Sequence, residues 1–152
     1  MKIPTGVEMQ QAACPMVNPG TVVAMSFIVK ETGAQAAIHT VGSSALGRMM
    51  IRYFKKQGIK LISIVRKQQY VDELLKDGAD HVLNSSSETF EKDLKELAEK
   101  EKATICFEAV GGEFTGKVLS NMPNGSTSYV YGSMSGSPQI NADIGDLIFK
   151  GK

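Results

Sequence analysis

"AAIHTVGSSALGRMMIRYFKKQG", residues 36–58, decides the fold. Its opening run, AAIHTV, is short, largely apolar and bounded by Gly33 and Gly42, as a buried strand requires. From Ala45 the period changes. Ala45, Leu46, Met49, Met50, Tyr53 and Phe54 recur at helical spacing, with Arg48, Arg52, Lys55 and Lys56 mostly off that face, and Gly58 closes the helix. Strand and helix are joined by Gly42-x-Ser44-x-x-Gly47, a turn with two glycines and a serine between them.

The same alternation continues outward. "KLISIV" (60–65) is a second strand, and Val71, Leu74 and Leu75 mark a helix closed by Gly78. "HVLN" (81–84) is a third strand. Ser85 and Glu88 then predict a capping box before a helix with Phe90, Leu94, Leu97 and Ala98 inward. Its outer face predicts the pairs Glu88–Lys92, Glu91–Lys95 and Glu96–Lys100. "TICFEAV" (104–110) is the fourth strand, and Gly111-Gly112 leads into a helix with Phe114, Val118, Leu119 and Met122 inward. After the Pro123-Asn124-Gly125 turn, "TSYVYGS" (127–133) is the fifth, with Tyr129 and Tyr131 read as core. Parallel neighbours need crossover helices, so the expected fold is α/β: a Rossmann-type doubly wound parallel sheet of about five strands. The ends are less regular. Residues 8–17 predict a short helix stopped by Pro15 and Pro19, and Leu147-Ile148-Phe149 has little to bury against.

Composition fits one soluble globular domain: 152 residues, 42% apolar, 22% charged, net charge +1. That balance provides no field for bulk nucleic-acid or membrane binding, and the cluster Arg48/Arg52/Lys55/Lys56 reads as a solvated helix face. "VVAMSFIV" (22–29) is too short to span a bilayer, and the first ten residues lack a secretory apolar stretch. Cys14 and Cys106 form no CxxC or Cys/His cluster and are expected buried and reduced. A reducing compartment follows, the cytoplasm or the mitochondrial matrix.

In such a sheet, ligands bind beyond the carboxyl ends of the strands, with a pyrophosphate at the helix after the first strand. The Gly42/Ser44/Gly47 spacing follows a strand and opens a helix, as the dinucleotide fingerprint does, with serine in the middle glycine's place. Residues 1–152 therefore read as one dinucleotide-binding domain: a lead-in over 1–35, a core over 36–133 and a C-terminal excursion over 134–152. No acidic residue occurs between Glu31 and Asp72, where an NAD site would place one to accept from the ribose. The second strand ends instead in Val65-Arg66-Lys67. Two readings stand, a solvated loop or a site for a 2′-phosphate; paired guanidinium bonds favour the second, and NADPH over NADH. No catalytic residue emerges. His39 reads as core, His81 lies at the start of its strand, and Ser43 and Ser44 sit in no nucleophile elbow.

Five stretches in register resemble the medium-chain dehydrogenase/reductase superfamily, on its zinc-independent, quinone-oxidoreductase and enoyl-reductase-like side. They are "AACPMVNPGTVVAM" (12–25), residues 36–58, "ISIVRKQQYVDELLKDGADHVLNSSS" (62–87), "FEAVGGEFTGKVL" (107–119) and "YVYGSMSG" with "GDLIFKGK" (129–136, 145–152). The resemblance implies an alcohol-dehydrogenase-like oxidoreductase whose full-length parent, a homodimer, moves hydride from NADPH to a quinone, an enone or an enoyl thioester. It places Ser44, Ala45 and Leu46 along the pyrophosphate beside Gly42 and Gly47, and Arg66 and Lys67 at the 2′-phosphate with Tyr70 nearby. Val110, Gly111, Gly132 and Ser133 would flank the ribose and nicotinamide, and Asn18 and Thr21 would approach its end. Zinc-dependent relatives carry a cysteine ligand where this chain has Val17, so no metal is expected. The resemblance also implies a separate GroES-like domain and one or more final strands that these residues do not contain, hence a cofactor half. The competing reading is a catalytically silent Rossmann-like subunit with a degenerate nucleotide site.

Overall fold

The computed structural model describes residues 3–14 and 16–152. A five-stranded sheet in the order β3-β2-β1-β4-β5 is built from β1 (Ala36–His39), β2 (Lys60–Val65), β3 (His81–Asn84), β4 (Ala103–Glu108) and β5 (Thr127–Val130). All four pairings are parallel. The chain order reverses between β1 and β4, which makes their carboxyl ends the topological switch point.

Helices cover both faces because successive strand residues alternate sides. On one face, Leu61, Val65, Ile105 and Phe107 pack with Met50, Ile51 and Phe54 of α3 (Ala45–Lys56) and Leu74 of α4 (Gln68–Lys76). On the other, Ile38, Ile62, Ile64 and Cys106 meet Phe90, Leu94 and Ala98 of α5 (Phe90–Glu101) and Val118 and Leu119 of α6 (Glu113–Ser120). Three of the turns that follow helices use a positive φ, at Gly33 (69°), Gly58 (70°) and Gly78 (91°). The fold expected from the periodicity is the fold observed.

Several local expectations need correction. A helix α2 (Val17–Glu31) follows the short α1 (Met9–Ala12) and runs through Pro19. Pro19 sits in the first turn of α2, where its missing N–H leaves no intrahelical bond unmade, so it does not stop the helix. The stop assigned to Pro15 lies outside the described residues. Val22, Met25 and Val29 of α2 join the α3 side of the core. The capping box does not form: the chain turns through Ser85–Thr89, with Ser86 N–H on Asn84 Oδ1 (3.0 Å), and α5 starts only at Phe90. The expected surface pairs are replaced too. Glu91 meets Lys117 of α6 (2.9 Å), and Lys92 approaches Glu96 (3.9 Å). Cys14 is exposed; only Cys106 is buried. Tyr129 and Tyr131 are exposed by 36% and 40%, because β5 is the edge of the sheet.

Strands β1, β4 and β5 end two or three residues before their apolar runs do, and the released residues form the rim of the switch point. Beyond β5 the chain folds back. Gly112 N–H donates to Gln139 O, and Asn141 N–H to Gly112 O (3.1 Å each), while Gly116 lets Asn141 lie directly on α6. A last helix, α7 (Ile144–Phe149), is capped by Asp143 and pinned by buried Asp146, which meets Ser120 Oγ (2.5 Å) and Lys150 Nζ (2.6 Å). Its Ile144, Ile148 and Phe149 face solvent.

Candidate functional site

The β1–α3 turn is shaped by two glycines, each for lack of room. A Cβ on Gly42 would stand 2.9 Å from Ser63 Cβ, and one on Gly47 would strike the carbonyl oxygens of Gly42 and Val41. Gly42 N–H is held by Ile64 O (3.0 Å), which ties the turn to β2. Ser44 caps α3: its Oγ accepts from Gly47 N–H (3.0 Å), leaving the hydroxyl hydrogen available to an outside acceptor. The N–H groups of Ala45 and Leu46 stand in the first turn, where no intrahelical carbonyl reaches them. Their combined effect is a small, donor-rich helix end.

Next to the turn, with Ser43 in its lining, lies a cleft of about 280 Å³ between the β1 and β2 termini; Gly42, Ser44, Ala45, Leu46 and Gly47 stand outside that lining. Thr40, Val41 and Ser43 form one wall; Val65, Arg66, Lys67 and Tyr70 form the other, and Met134 reaches in from the loop after β5. Among the described residues, neither Arg66 nor Lys67 lies within ion-pair distance of a carboxylate. Arg48, by contrast, is held by Glu73 (2.7 Å) and Asp77 (2.8 Å), so the basic face of α3 is partly neutralised. Ser86 Oγ donates to Arg66 O (3.0 Å), fixing the backbone from which Arg66 projects. A larger groove of about 350 Å³ lies between α2 and α3, lined by Pro19, Val22, Val23, Met49 and Tyr53. Arg52 and Lys56 also line it, but it lies away from the strand ends, so the strand-end cleft is the candidate site.

The remaining expected residues gather at the neighbouring strand ends. Gly111 (φ 79°) has Ser133 and Ser135 hydroxyls 3.4 and 3.3 Å from where its Cβ would be, and Gly132 lies on Ala109, with room for a Cβ only at 3.0 Å. Met134 N–H donates to Ala109 O (2.9 Å) and Ser135 N–H to Val110 O (2.7 Å), so the β4 and β5 loops form one unit. Thr21 is not brought to the cleft lining; its hydroxyl donates to Val17 O within α2 (2.8 Å).

Three groups at the switch point escape the sequence reading of the site. Glu108 is fully buried and accepts four hydrogen bonds, from Thr40 Oγ, Val110 N–H, Gly111 N–H and Thr115 Oγ. His39, also fully buried, places Nε2 2.7 Å from Tyr131 Oη, with the rings stacked at 6.1 Å. Burial lowers His39 to about 4 and pushes Tyr131 up to about 12, so this pair is neutral at pH 7. The available signal for Glu108 was an acid inside an apolar run just before Gly111-Gly112.

A family model described as zinc-binding dehydrogenase matches residues 45–152. The human mitochondrial enoyl-[acyl-carrier-protein] reductase is 27% identical over 157 residues, covering 99% of this chain and 41% of that protein. A crystal structure of a candidate NADPH:quinone reductase from Mesorhizobium loti is similar with a TM-score of 0.90 and 32% identity, over 100% of this chain and 44% of that one. Etr1p, a mitochondrial 2-enoyl thioester reductase of Candida tropicalis solved with NADP and crotonyl-CoA, gives 0.80 and 25% over 97% of this chain and 43% of that one. A further structure holds it as an Etr1p/Etr2p heterodimer. The chain thus spans about two-fifths of the length of the curated relatives it matches. Zinc enters the family's description, yet among the described residues no three His, Cys, Asp or Glu side chains gather to hold a metal, so the residues present do not fit one.

Proposed function

This chain belongs to the zinc-binding dehydrogenase family of the medium-chain dehydrogenase/reductase superfamily, on its zinc-independent, enoyl-reductase-like branch, and we propose that it is the NADPH-holding domain of a reductase. One observation carries the reading: Ser43 of the glycine turn and two carboxylate-free cations, Arg66 and Lys67, line one strand-end cleft. The residues present fit the cofactor. The first-turn N–H groups of Ala45 and Leu46, with the Ser44 hydroxyl, take the pyrophosphate. Arg66 and Lys67 take the 2′-phosphate, with Tyr70 beside the adenosine. Val110, Gly111, Gly132 and Ser133 flank the ribose and nicotinamide. Thr21, whose hydroxyl is bonded to Val17 O within α2, would approach the nicotinamide end.

When bound, the cofactor supplies a hydride. The chain's own work is to bind and orient it at the switch point and, through the β4 and β5 loops, to limit water there. A quinone or an enoyl thioester as acceptor, with an enone as their chemical analogue, follows the relatives' names, as do a mitochondrial location and a second subunit; a reducing compartment, matrix or cytoplasm, follows the free cysteines. No helix among the described residues is long and apolar enough to cross a membrane.

Titration with NADPH and NADH, followed by nucleotide fluorescence, tests the reading. NADPH binds the tighter of the two, and Arg66→Glu weakens it roughly tenfold or more, the worth of a charge-assisted bond, with little change for NADH. Equal losses remove the 2′-phosphate assignment. No saturable binding at millimolar nucleotide leaves the silent-subunit reading instead.

A further inference from the structure

Glu108 is the last residue of β4, at the β1/β4 switch point where a dinucleotide crosses this type of sheet. Its Oε1 accepts from Thr40 Oγ (3.2 Å) and Val110 N–H (2.6 Å); its Oε2 accepts from Gly111 N–H (2.9 Å) and Thr115 Oγ (2.6 Å). Thr40 Oγ in turn accepts from Ala109 N–H (3.0 Å), so its hydrogen is free for the carboxylate. Every partner donates and none is charged, which is the environment of an ionised carboxylate held by neutral dipoles. Among the described residues no Lys, Arg or His pairs with it. The titratable groups around it do not cancel the charge. His39 is kept neutral by burial, and burial together with Glu108's own field pushes the Tyr131 phenol and the Cys106 thiol upward. An acidic side chain with no counter-charge among the described residues therefore stands at the carboxyl end of the central β1–β4 pair.

We propose that Glu108 biases the redox state of the bound nicotinamide, favouring the oxidised, positively charged ring over the reduced, neutral one. This rests on the NADPH reading above. Loss of a hydride, two electrons with one proton, to the acceptor takes the ring from neutral to a unit positive charge. A fixed anion in a water-poor site stabilises that product side and makes the bound cofactor a stronger hydride donor. The turn-holding bonds of Glu108 would serve equally well from a neutral acceptor; the charge has this separate consequence.

The test compares dissociation constants of NADP⁺ and NADPH for the wild type, Glu108→Gln and Thr115→Val. Glu108→Gln lowers the preference for NADP⁺ over NADPH by roughly three- to tenfold, the effect of one charge in a partly screened site. Thr115→Val loosens the same turn but keeps the charge, so its preference holds or rises. An unchanged preference in Glu108→Gln overturns the proposal, as does an equal fall in Thr115→Val, which would mark loop geometry as the cause. If Glu108→Gln does not fold, Glu108→Asp and Thr115→Val, which both keep the carboxylate, are compared instead: a fall of roughly threefold or more in either marks loop geometry as the cause and overturns the proposal, and a preference kept in both upholds it. Absence of saturable binding of either nucleotide to the wild type defeats the NADPH reading itself, an outcome distinct from an unchanged ratio.

Discussion

His39 makes the stability of this domain fall in mild acid. Its ring is fully buried, Nε2 is taken by Tyr131 Oη, and Nδ1 has no partner to share a second proton with. Burial lowers its pKa from 6.5 to about 4. In the unfolded chain the ring is free to charge at its ordinary value. Above pH 6.5 both states are neutral and the domain keeps its full stability. As pH falls from 6.5 the unfolded chain binds a proton that the folded chain refuses, and stability drops until about pH 4, where both are charged. The 2.5-unit difference between these two values corresponds to about 3 kcal/mol in full, of which about 2 kcal/mol is lost between pH 7.5 and pH 5.0. That is a large share of the 5–15 kcal/mol typical of a domain. The chain has no tryptophan, so urea unfolding is best followed by far-ultraviolet circular dichroism at the two pH values. His39→Gln can keep a polar contact to Tyr131 but cannot titrate. Its stability is lower at pH 7.5, yet its loss on going to pH 5.0 is smaller than the wild type's by about 2 kcal/mol. Equal losses in the two proteins, or a wild type more stable at pH 5.0, would refute the reasoning.

Other perturbations follow from the same geometry. Tyr131→Phe leaves the His39 ring without its one partner and costs about 1–3 kcal/mol in urea unfolding. Gly47→Ala drives a Cβ into two backbone carbonyls and lowers the urea midpoint by the equivalent of about 1–3 kcal/mol, with nucleotide binding lost alongside; a neutral result would mean the turn is looser than drawn. Asp146→Asn strips the partner from Lys152, whose side chain is almost wholly buried and also holds Leu119 O and Ser120 O. It should cost about 2–4 kcal/mol and expose α7 to proteases before the rest of the domain. Lys150, then Ser120, hold the Asp146 carboxyl below its usual range, so its contribution is complete above the ordinary carboxylate pKa and is lost as acid reaches the folded value.

Helix periods were legible where one face is buried and the other wet, and the strands as short apolar runs covered on both faces. β2 and β3 fall where their apolar runs do, and α3 follows its stripe from Ala45. The failures have equally local causes. α2 is apolar nearly all round, with Val22, Met25 and Val29 buried and Val17 and Phe27 exposed, so no stripe stands out. Thr40 and Val110 lie in apolar runs, yet backbone and side-chain bonds to Phe107 and Glu108 bend them out of the ladder and into the rim. The glycine turn and Arg66-Lys67 could be placed from sequence because each is encoded by neighbours. Glu108 and the His39–Tyr131 pair could not, because their partners are distant along the chain and only the sheet order brings them together.

Those separations carry a consequence for how the site comes into being. Thr40 and Glu108 are 68 residues apart, and His39 and Tyr131 are 92 apart, so neither contact exists until the central β1–β4 pair has docked. The mouth of the cleft therefore belongs to the slow, long-range part of folding, unlike the locally encoded phosphate turn. A chain stalled with β1, α3 and β2 in place would own half a nucleotide site and gain little from holding a ligand. Once the sheet closes, a nucleotide held in the proposed site and the core would protect one another.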